Sequence, residues 1–550
     1  MAAEVVGSYL YVSFVSLVTS SKNTMDEQTS VVAEWYKGKN IFVTGGTGFM
    51  GKVLVEKLLH SCSDLGTLYI LMRSKRGKSP EERLKDIWTL PAFARIRTKN
   101  PKLFDKVVPI IGEISEEGLG ISQEDRRNLV ENVQIVFHLA ATLRLEAQLK
   151  DSIEMNTMGT QRVLALARDM KKLDVFIHLS TAFCSADIDV FEEKVYDSPY
   201  DPIDIINTAK WMPAEALVKA TADIIKPHPN TYTFTKRLGE TLVANEAKNM
   251  RVVIVRPSIV TPASLEPIPG WVDSLNGPIG VMAAAGKGVL RTMQCNEENN
   301  AQVVPVDIAI NAIIVIAWKN GSAKQASEEV PVYNLTNDAV LRVTWGELLR
   351  IGKEICYKYP FEMQVWYPNG ATTRYFWIYF FWSIWVHWIP AVLIDTLMFI
   401  FLQPRFMIRV QKKIYVGLGL LQFFAVRKWI FNSDNFLNLV NDLNTLDADT
   451  FQMDFHRHPI GTYFLHALLG GRHYCLKENP DSLPKCRVQQ KVLYVVDILF
   501  KILLIYGIFC LAWSYSDTVK YLTSVIVYYI NHVLDVGKDV LRHNSQTISR

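Results

Sequence analysis

The chain has 550 residues, of which 49% are apolar and 21% charged, and its formal net charge is +4. That length exceeds one ordinary domain, and that apolar share excludes a disordered chain. So small a positive surplus leaves no footprint for nucleic acid, and local basic clusters matter more than the total.

The first twenty residues contain a short apolar stretch, 9–18, without a basic leader. It is too short to span a bilayer and makes a poor signal peptide. Residues 1–37 therefore read as a flexible arm, with Met25 as an alternative start. From there, short apolar runs alternate with helical patterns. Residues 41–44 form a strand that ends at glycines, and 52–59 continue as a helix. Further β-rich runs are 67–72, 107–111, 135–139, 175–179 and 252–255. Such alternation predicts an α/β fold, a doubly wound parallel sheet covered on both faces, from about residue 38 to 345.

The loop between the first strand and its helix is Thr44-Gly45-Gly46-Thr47-Gly48-Phe49-Met50-Gly51. Gly45 allows a tight turn, Gly48 lets the backbone approach a diphosphate, and Gly51 seats the helix close to the strand. An anion there meets free N–H groups at a helix N-terminus. Thr44, Gly45, Thr47, Gly48, Phe49 and Gly51 are thus the candidate dinucleotide contacts. A site for NAD would place an acid about 20 residues on, to hold the ribose hydroxyls. The second strand ends instead in Arg73-Ser74-Lys75-Arg76-Gly77-Lys78, four cations and no acid. These suit a 2′-phosphate, so NADPH is the predicted cofactor, with Arg73 and Arg76 as its contacts.

The next constellation is Ser180-Thr181-Ala182 at a strand end, then Tyr232-Thr233-Phe234-Thr235-Lys236. Tyr and Lys four apart share one helix face. A free tyrosine titrates near 10, a poor match to proton transfer at neutral pH, and a neighbouring ammonium lowers that value. The candidate catalytic groups are Tyr232, Lys236 and a hydroxyl at the strand end, Ser180 or Thr181. The seven cysteines are scattered without a Cys-x-x-Cys pair, so no metal site is expected, and Cys184 reads as a small apolar filler.

The second half changes character. Residues 376–402 include no Lys or Arg, with Asp395 as the one acid. This stretch reads either as a membrane segment or as a buried hairpin kinked at Pro390. Residues 492–515 are apolar apart from Asp497 and Lys501, and 521–533 form a shorter apolar run. The first two are long enough to span a bilayer.

On these motifs the chain resembles the extended short-chain dehydrogenase/reductase family. The resemblance implies Tyr232 as acid, Lys236 as its partner and ribose ligand, and Thr181 as the third member. Ala140, in His138-Leu139-Ala140-Ala141, matches the family's segment beside the cofactor, and Asn156 matches its structural Asn. The runs Val255-Arg256-Pro257-Ser258-Ile259-Val260, Glu266-Pro267-Ile268-Pro269-Gly270-Trp271-Val272-Asp273 and Gly470-Gly471-Arg472-His473-Tyr474 narrow this to the alcohol-forming fatty acyl-CoA reductases, over residues 35–535. Glu113, where that family has Asp, and a missing Trp in 454–466 depart from the pattern; the second leaves acyl-chain preference open.

That resemblance implies reduction of a fatty acyl-CoA to a primary alcohol with two NADPH, through a hemithioacetal and an aldehyde. A membrane-bound dehydrogenase of lipophilic alcohols and a non-catalytic nucleotide sensor are the alternatives. The implied organisation is a reductase domain (38–345), a helical C-terminal domain (346–490) holding the hairpin 376–402, and a membrane anchor with tail (491–550). Expected partners are fatty acyl-CoA and membrane lipid, and no nucleic acid; a homodimer is left open. The expected location is the endoplasmic reticulum membrane with the catalytic half in the cytosol, and the peroxisomal membrane second. Residues of 376–402 are expected to border the acyl channel, with Lys287, Arg291 and 203–228 near the CoA phosphates.

Overall fold

The structure, a computed structural model, describes residues 29–325, 329–336, 343–454 and 459–548, excluding the side chains of 533–548. The apolar stretch 9–18 and Met25 lie outside the described residues. Seven parallel strands form one sheet: β1 (Asn40–Thr44), β2 (Leu68–Met72), β3 (Val107–Ile111), β4 (Val133–His138), β5 (Val175–Leu179), β6 (Val252–Pro257) and β7 (Val332–Leu335). Their order is β3-β2-β1-β4-β5-β6-β7. Each is an apolar run because both faces are covered: Ile41 and Val43 enter one core, and Phe42 enters the other. The strand order reverses between β1 and β4, which opens a crevice at their C-terminal ends. Six strands follow the predicted runs. β7 has only four residues, too few for its pattern to stand out.

Two domain boundaries need correction. The predicted arm extends too far, because Val31–Tyr36 is a helix. Val32 and Tyr36 are fully buried, and the Tyr36 hydroxyl donates to the Ile314 carbonyl at 2.9 Å. The N–H groups of Val31 and Val32 donate to Asp447, so the N-terminal helix is tied to the C-terminal half. Nor is the C-terminal half separate. Ile430–Phe431 pairs in parallel with Val190–Phe191, and Phe436, Leu439, Phe451 and Met453 enter the core of the sheet.

The apolar segment is not a buried hairpin. Phe376–Ser383, a π turn at Ile384–Trp388 and Ile389–Ile400 run on as one arm, and Met407–Val426 returns beside it. Pro390 falls where the π turn meets the next helix, so its missing N–H interrupts no regular ladder. Asp395, which looked costly in lipid, accepts the N–H groups of Phe406, Met407 and Ile408 at 2.8–3.0 Å and caps the return helix. The outer face is left apolar and open: Trp377 is 76% and Leu402 92% exposed. Phe376–Ile400 and Pro480–Tyr515 are the two described segments long and apolar enough to cross a membrane. A further helix, Asp517–Ile548, follows the second.

The helix Thr231–Asn245 is fixed to the sheet by a buried ion pair. Glu240 receives two hydrogen bonds from Arg256 on β6, at 2.7 and 2.9 Å, and both side chains are shielded from solvent. Burial opposes ionisation of Glu240, yet Arg256 holds its carboxyl below the usual range. Removing one member of such a pair leaves a buried charge uncompensated. Glu240→Gln should therefore cost about 3–5 kcal/mol in denaturant unfolding in detergent, with much of it recovered when Arg256 is replaced by Met in the same chain.

Candidate active site

The loop after β1 is shaped by contacts that only glycine permits. Gly45 has φ +77°, and a Cβ there would lie 2.7 Å from the Ala140 nitrogen. A Cβ on Gly51 would lie 2.1 Å from the Gly45 carbonyl oxygen. Gly48 caps the helix Phe49–Ser61 with no side chain, so the helix's first N–H groups stay available. This bare floor at a helix N-terminus fits the diphosphate of a dinucleotide. It forms one end of a cavity of about 1160 Å³, lined there by Gly45, Thr47, Gly48, Phe49, Gly51, Arg73 and Ala140.

Thr44 does not reach the cavity. Its hydroxyl is buried, 2.7 Å from Nδ1 of His138, and accepts the N–H of Ala140 at 3.3 Å. It therefore braces the floor from beneath. Burial, aided by the charge of Lys236, depresses His138 to about 3, so the imidazole beneath the floor is neutral. Arg76 is also off the cavity wall, in a tight turn at φ +54°. Lys75 and Arg83 stand on that wall instead. Arg83 comes from the helix Pro80–Trp88, outside the basic run that drew attention in the sequence. Arg73 pairs with Glu113 at 2.6 Å. Glu113 departs from the family pattern, and here it orients the arginine predicted to meet the cofactor.

Residues 262–273 close over the glycine loop. Trp271 stacks on Phe49 at 5.4 Å, and Asp273 pairs with Lys52 at 2.7 Å. Asp307 holds the start of this segment by accepting the N–H groups of Ser264, Leu265 and Glu266.

Thr181, just beyond β5, and Tyr232 both line the cavity. Lys236 sits behind them and donates to the Leu179 carbonyl at 2.5 Å. Asn156 places their helix: its Oδ1 accepts the N–H of Thr142, and its Nδ2 donates to Thr235 at 3.0 Å. It therefore links the segment after β4 to the turn between Tyr232 and Lys236. The expected acidification of Tyr232 by Lys236 is not what this geometry yields. Burial pushes the Tyr232 hydroxyl well above its ordinary value, and the neighbouring Thr181 hydroxyl opposes that only in part. Burial likewise draws Lys236 down to about 8, opposed by Glu240 and Cys184. Cys184 is buried, and burial with the nearby Glu240 pushes its thiol up to about 12, so it is no thiolate at neutral pH.

Beyond Tyr232 the cavity becomes apolar. Its walls include Met282 and Ala285 of the helix Pro278–Gly286, Leu349 and Gly352 of Trp345–Lys358, Leu421 and Phe424 of the return helix, and Phe464 of Ile460–Gly470. No residue of 376–402 lines it, which corrects the expected channel border: its large apolar side chains turn mostly outward, its buried face (Tyr379, Ser383, His387, Asp395) packs inside the protein off the cavity, and the return helix supplies the wall. Of the cations expected near CoA, Arg291 lines the cavity. Lys287 does not, being held by Glu478 and the Glu362 carbonyl, both at 2.7 Å; nor does any residue of 203–228.

Comparison with known proteins agrees with this architecture. Residues 43–313 and 386–478 each match a family described as male sterility protein. Fatty acyl-CoA reductase 1 of Mus musculus is 36% identical over 456 residues, covering 83% of this chain and 88% of its own. A putative fatty acyl-CoA reductase of Drosophila melanogaster is 36% identical over 489 residues, covering 88% of this chain and 94% of its own. Among solved structures, the reductase domain of a non-ribosomal peptide synthetase from Mycobacterium tuberculosis superposes with a TM-score of 0.51 at 17% identity, covering 81% of this chain and 95% of that one. This last likeness concerns the fold. With a glycine floor, a Thr-Tyr pair backed by Lys236 and an apolar arm in one cavity, and relatives matching over more than four fifths of its length, the chain belongs to the fatty acyl-CoA reductase family and is an oxidoreductase.

Proposed function

We propose that the protein reduces long-chain fatty acyl-CoA to the primary alcohol, consuming two NADPH in succession and releasing CoA. The observation that carries this reading is the continuity of the cavity: Tyr232 and Thr181 stand between the glycine floor and an arm walled by apolar side chains. Bound NADPH would supply the hydride. Gly45, Thr47, Gly48, Phe49, Gly51 and Ala140 would hold its diphosphate end, and Arg73 with Lys75 and Arg83 its 2′-phosphate, since three cations at one edge suit that charge. Thr44 supports the floor.

The Tyr232 hydroxyl and Thr181 hold the carbonyl oxygen of the thioester, and the proton donated there stabilises the alkoxide of the hemithioacetal as it forms. The thiol of CoA leaves, and the aldehyde stays beside the same two hydroxyls for the second reduction. Lys236 keeps an ammonium behind Tyr232 and serves the ribose. A long acyl chain gains about 0.8 kcal/mol per methylene on leaving water, so the substrate is concentrated in lipid, and exposed apolar segments suit an enzyme that works there. The endoplasmic reticulum membrane, with the catalytic part in the cytosol, supplies both acyl-CoA and NADPH.

Incubation with palmitoyl-CoA should oxidise two NADPH per hexadecanol released; no NADPH oxidation with any acyl-CoA rejects the reading. Tyr232→Phe should lower kcat by about 10²–10⁴-fold with NADPH affinity retained, as loss of an acid predicts. The pH profile has a defined sign. Lys236 loses its ammonium as pH rises through about 8, so kcat/KM for palmitoyl-CoA should fall there. The unfolded lysine keeps its proton to its ordinary 10.5, so unfolding takes up a proton between these values and stability rises with pH. The contribution of Lys236 to stability therefore does not fall in that window, and thermal scans at pH 7 and 9 (about one unit either side of that transition) separate lost activity from unfolding.

A further inference from the structure

Asp497 lies within the apolar part of the helix Leu483–Tyr515 and is 1% exposed. A carboxylate at that point opposes insertion into lipid, so anchoring gives no reason for it. Donors from three parts of the chain surround it. Trp366 Nε1 donates to Oδ1 at 2.6 Å and Asn369 Nδ2 to Oδ2 at 2.7 Å; Lys501 pairs with it at 2.6 Å and Arg291 at 3.6 Å. The same helix face packs Tyr494 against Tyr367 and Phe500 against Trp366, and Gln489 donates to the Gln364 carbonyl. The first half of this helix is thus docked on the loop 364–369.

Arg291 is where this docking meets the cavity. It lines the wall, with its guanidinium 5.1 Å from the Trp366 ring centre. Its backbone N–H is held by Nε2 of His387, from the other apolar segment, at 2.8 Å. One carboxylate therefore faces two cations, and Nε of Arg291 is buried without a hydrogen-bond partner. The other cations on the far walls, Arg350 and Lys353, are exposed, and Arg350 is paired with Glu354. A largely enclosed guanidinium with spare donor capacity and a surplus positive charge is suited to a phosphate.

We propose that Arg291 binds a phosphate of the CoA portion of the thioester and that Asp497 is the positioning residue that presents it, so that the C-terminal apolar helix is a working part of the acyl-CoA site. This rests on the thioester reading above and adds the anchor helix to it. The test uses the full chain in phosphatidylcholine vesicles, with palmitoyl-CoA and with hexadecanal, the aldehyde that carries no CoA. Asp497→Asn, Asp497→Leu and Arg291→Gln should each raise KM for palmitoyl-CoA about tenfold, the loss expected for one charge-assisted hydrogen bond. Hexadecanal reduction should stay near wild type, Arg291→Lys should recover part of the loss, and Asp497→Leu should float with vesicles at least as well as wild type. Equal losses on both substrates would reduce Asp497 to a purely structural role and overturn the proposal, as would an unchanged KM. An effect of Arg291→Gln that appears only when phosphatidylserine is added would assign the site to lipid phosphate and overturn it too. Wild-type protein that reduces hexadecanal but no acyl-CoA refutes the thioester reading first, a result distinct from any variant's.

Discussion

The clamp on the helix Thr231–Asn245 is the constraint from which the rest of the site follows. Three bonds set its register against the sheet: Lys236 to the Leu179 carbonyl, Glu240 to Arg256 on β6, and Asn156 to Thr235. Lys236 and Glu240 lie one turn apart and grip neighbouring strand ends, while Asn156 grips the segment after β4. With the helix held at three points, Tyr232 has one place to stand, beside Thr181. Two of those bonds involve buried charges, which penalises every other register, because sliding the helix by a turn would strand both Arg256 and Lys236.

How far the sequence could be read follows from which features are local. The glycine loop is legible because turn, floor and helix start occupy eight consecutive residues. Tyr232 and Lys236 are legible because helical spacing places them together. Thr44 and Arg76 show the limit. Both sit inside motifs that point to the cofactor, but whether a side chain faces the ligand depends on partners far along the chain, such as His138 for Thr44. Arg83 was missed because it enters from the next helix, and the Glu240–Arg256 pair because nothing in either motif announces a partner 16 residues away. The acyl arm had no local signal, being assembled from four helices that are neither contiguous nor strongly patterned.

The apolar second half was the hardest to read, and for a physical reason. Hydropathy reports how many apolar residues a segment has; it cannot say what they face. Asp395 and Asp497 look alike in sequence, one acid in a long apolar run. In the structure Asp395 satisfies three N–H groups at a helix start within its own hairpin, whereas Asp497 gathers donors from the loop 366–369 and Arg291. The first is local and makes the hairpin turn; the second is long-range and fastens a long apolar helix to the loop 364–369 and to Arg291 on the cavity wall.

These two carboxylates also explain how the fold keeps a well-defined cavity beside a broad exposed apolar surface. The return helix presents Leu421 and Phe424 to the cavity, while the preceding arm turns Trp377 and Leu402 outward. One hairpin is thus both wall and exposed apolar surface, and Asp395 holds its two helical arms together. The strand Thr292–Gln294 lies between, bonded to the hairpin through His387, and Arg291 beside it reaches the C-terminal helix through Asp497. A substrate with a long apolar tail and a multiply charged head needs both surfaces within one molecule's length. The fold provides that by building the cavity wall from the roots of the exposed apolar segments, so that the apolar surface and the Thr181–Tyr232 pair are set by the same frame.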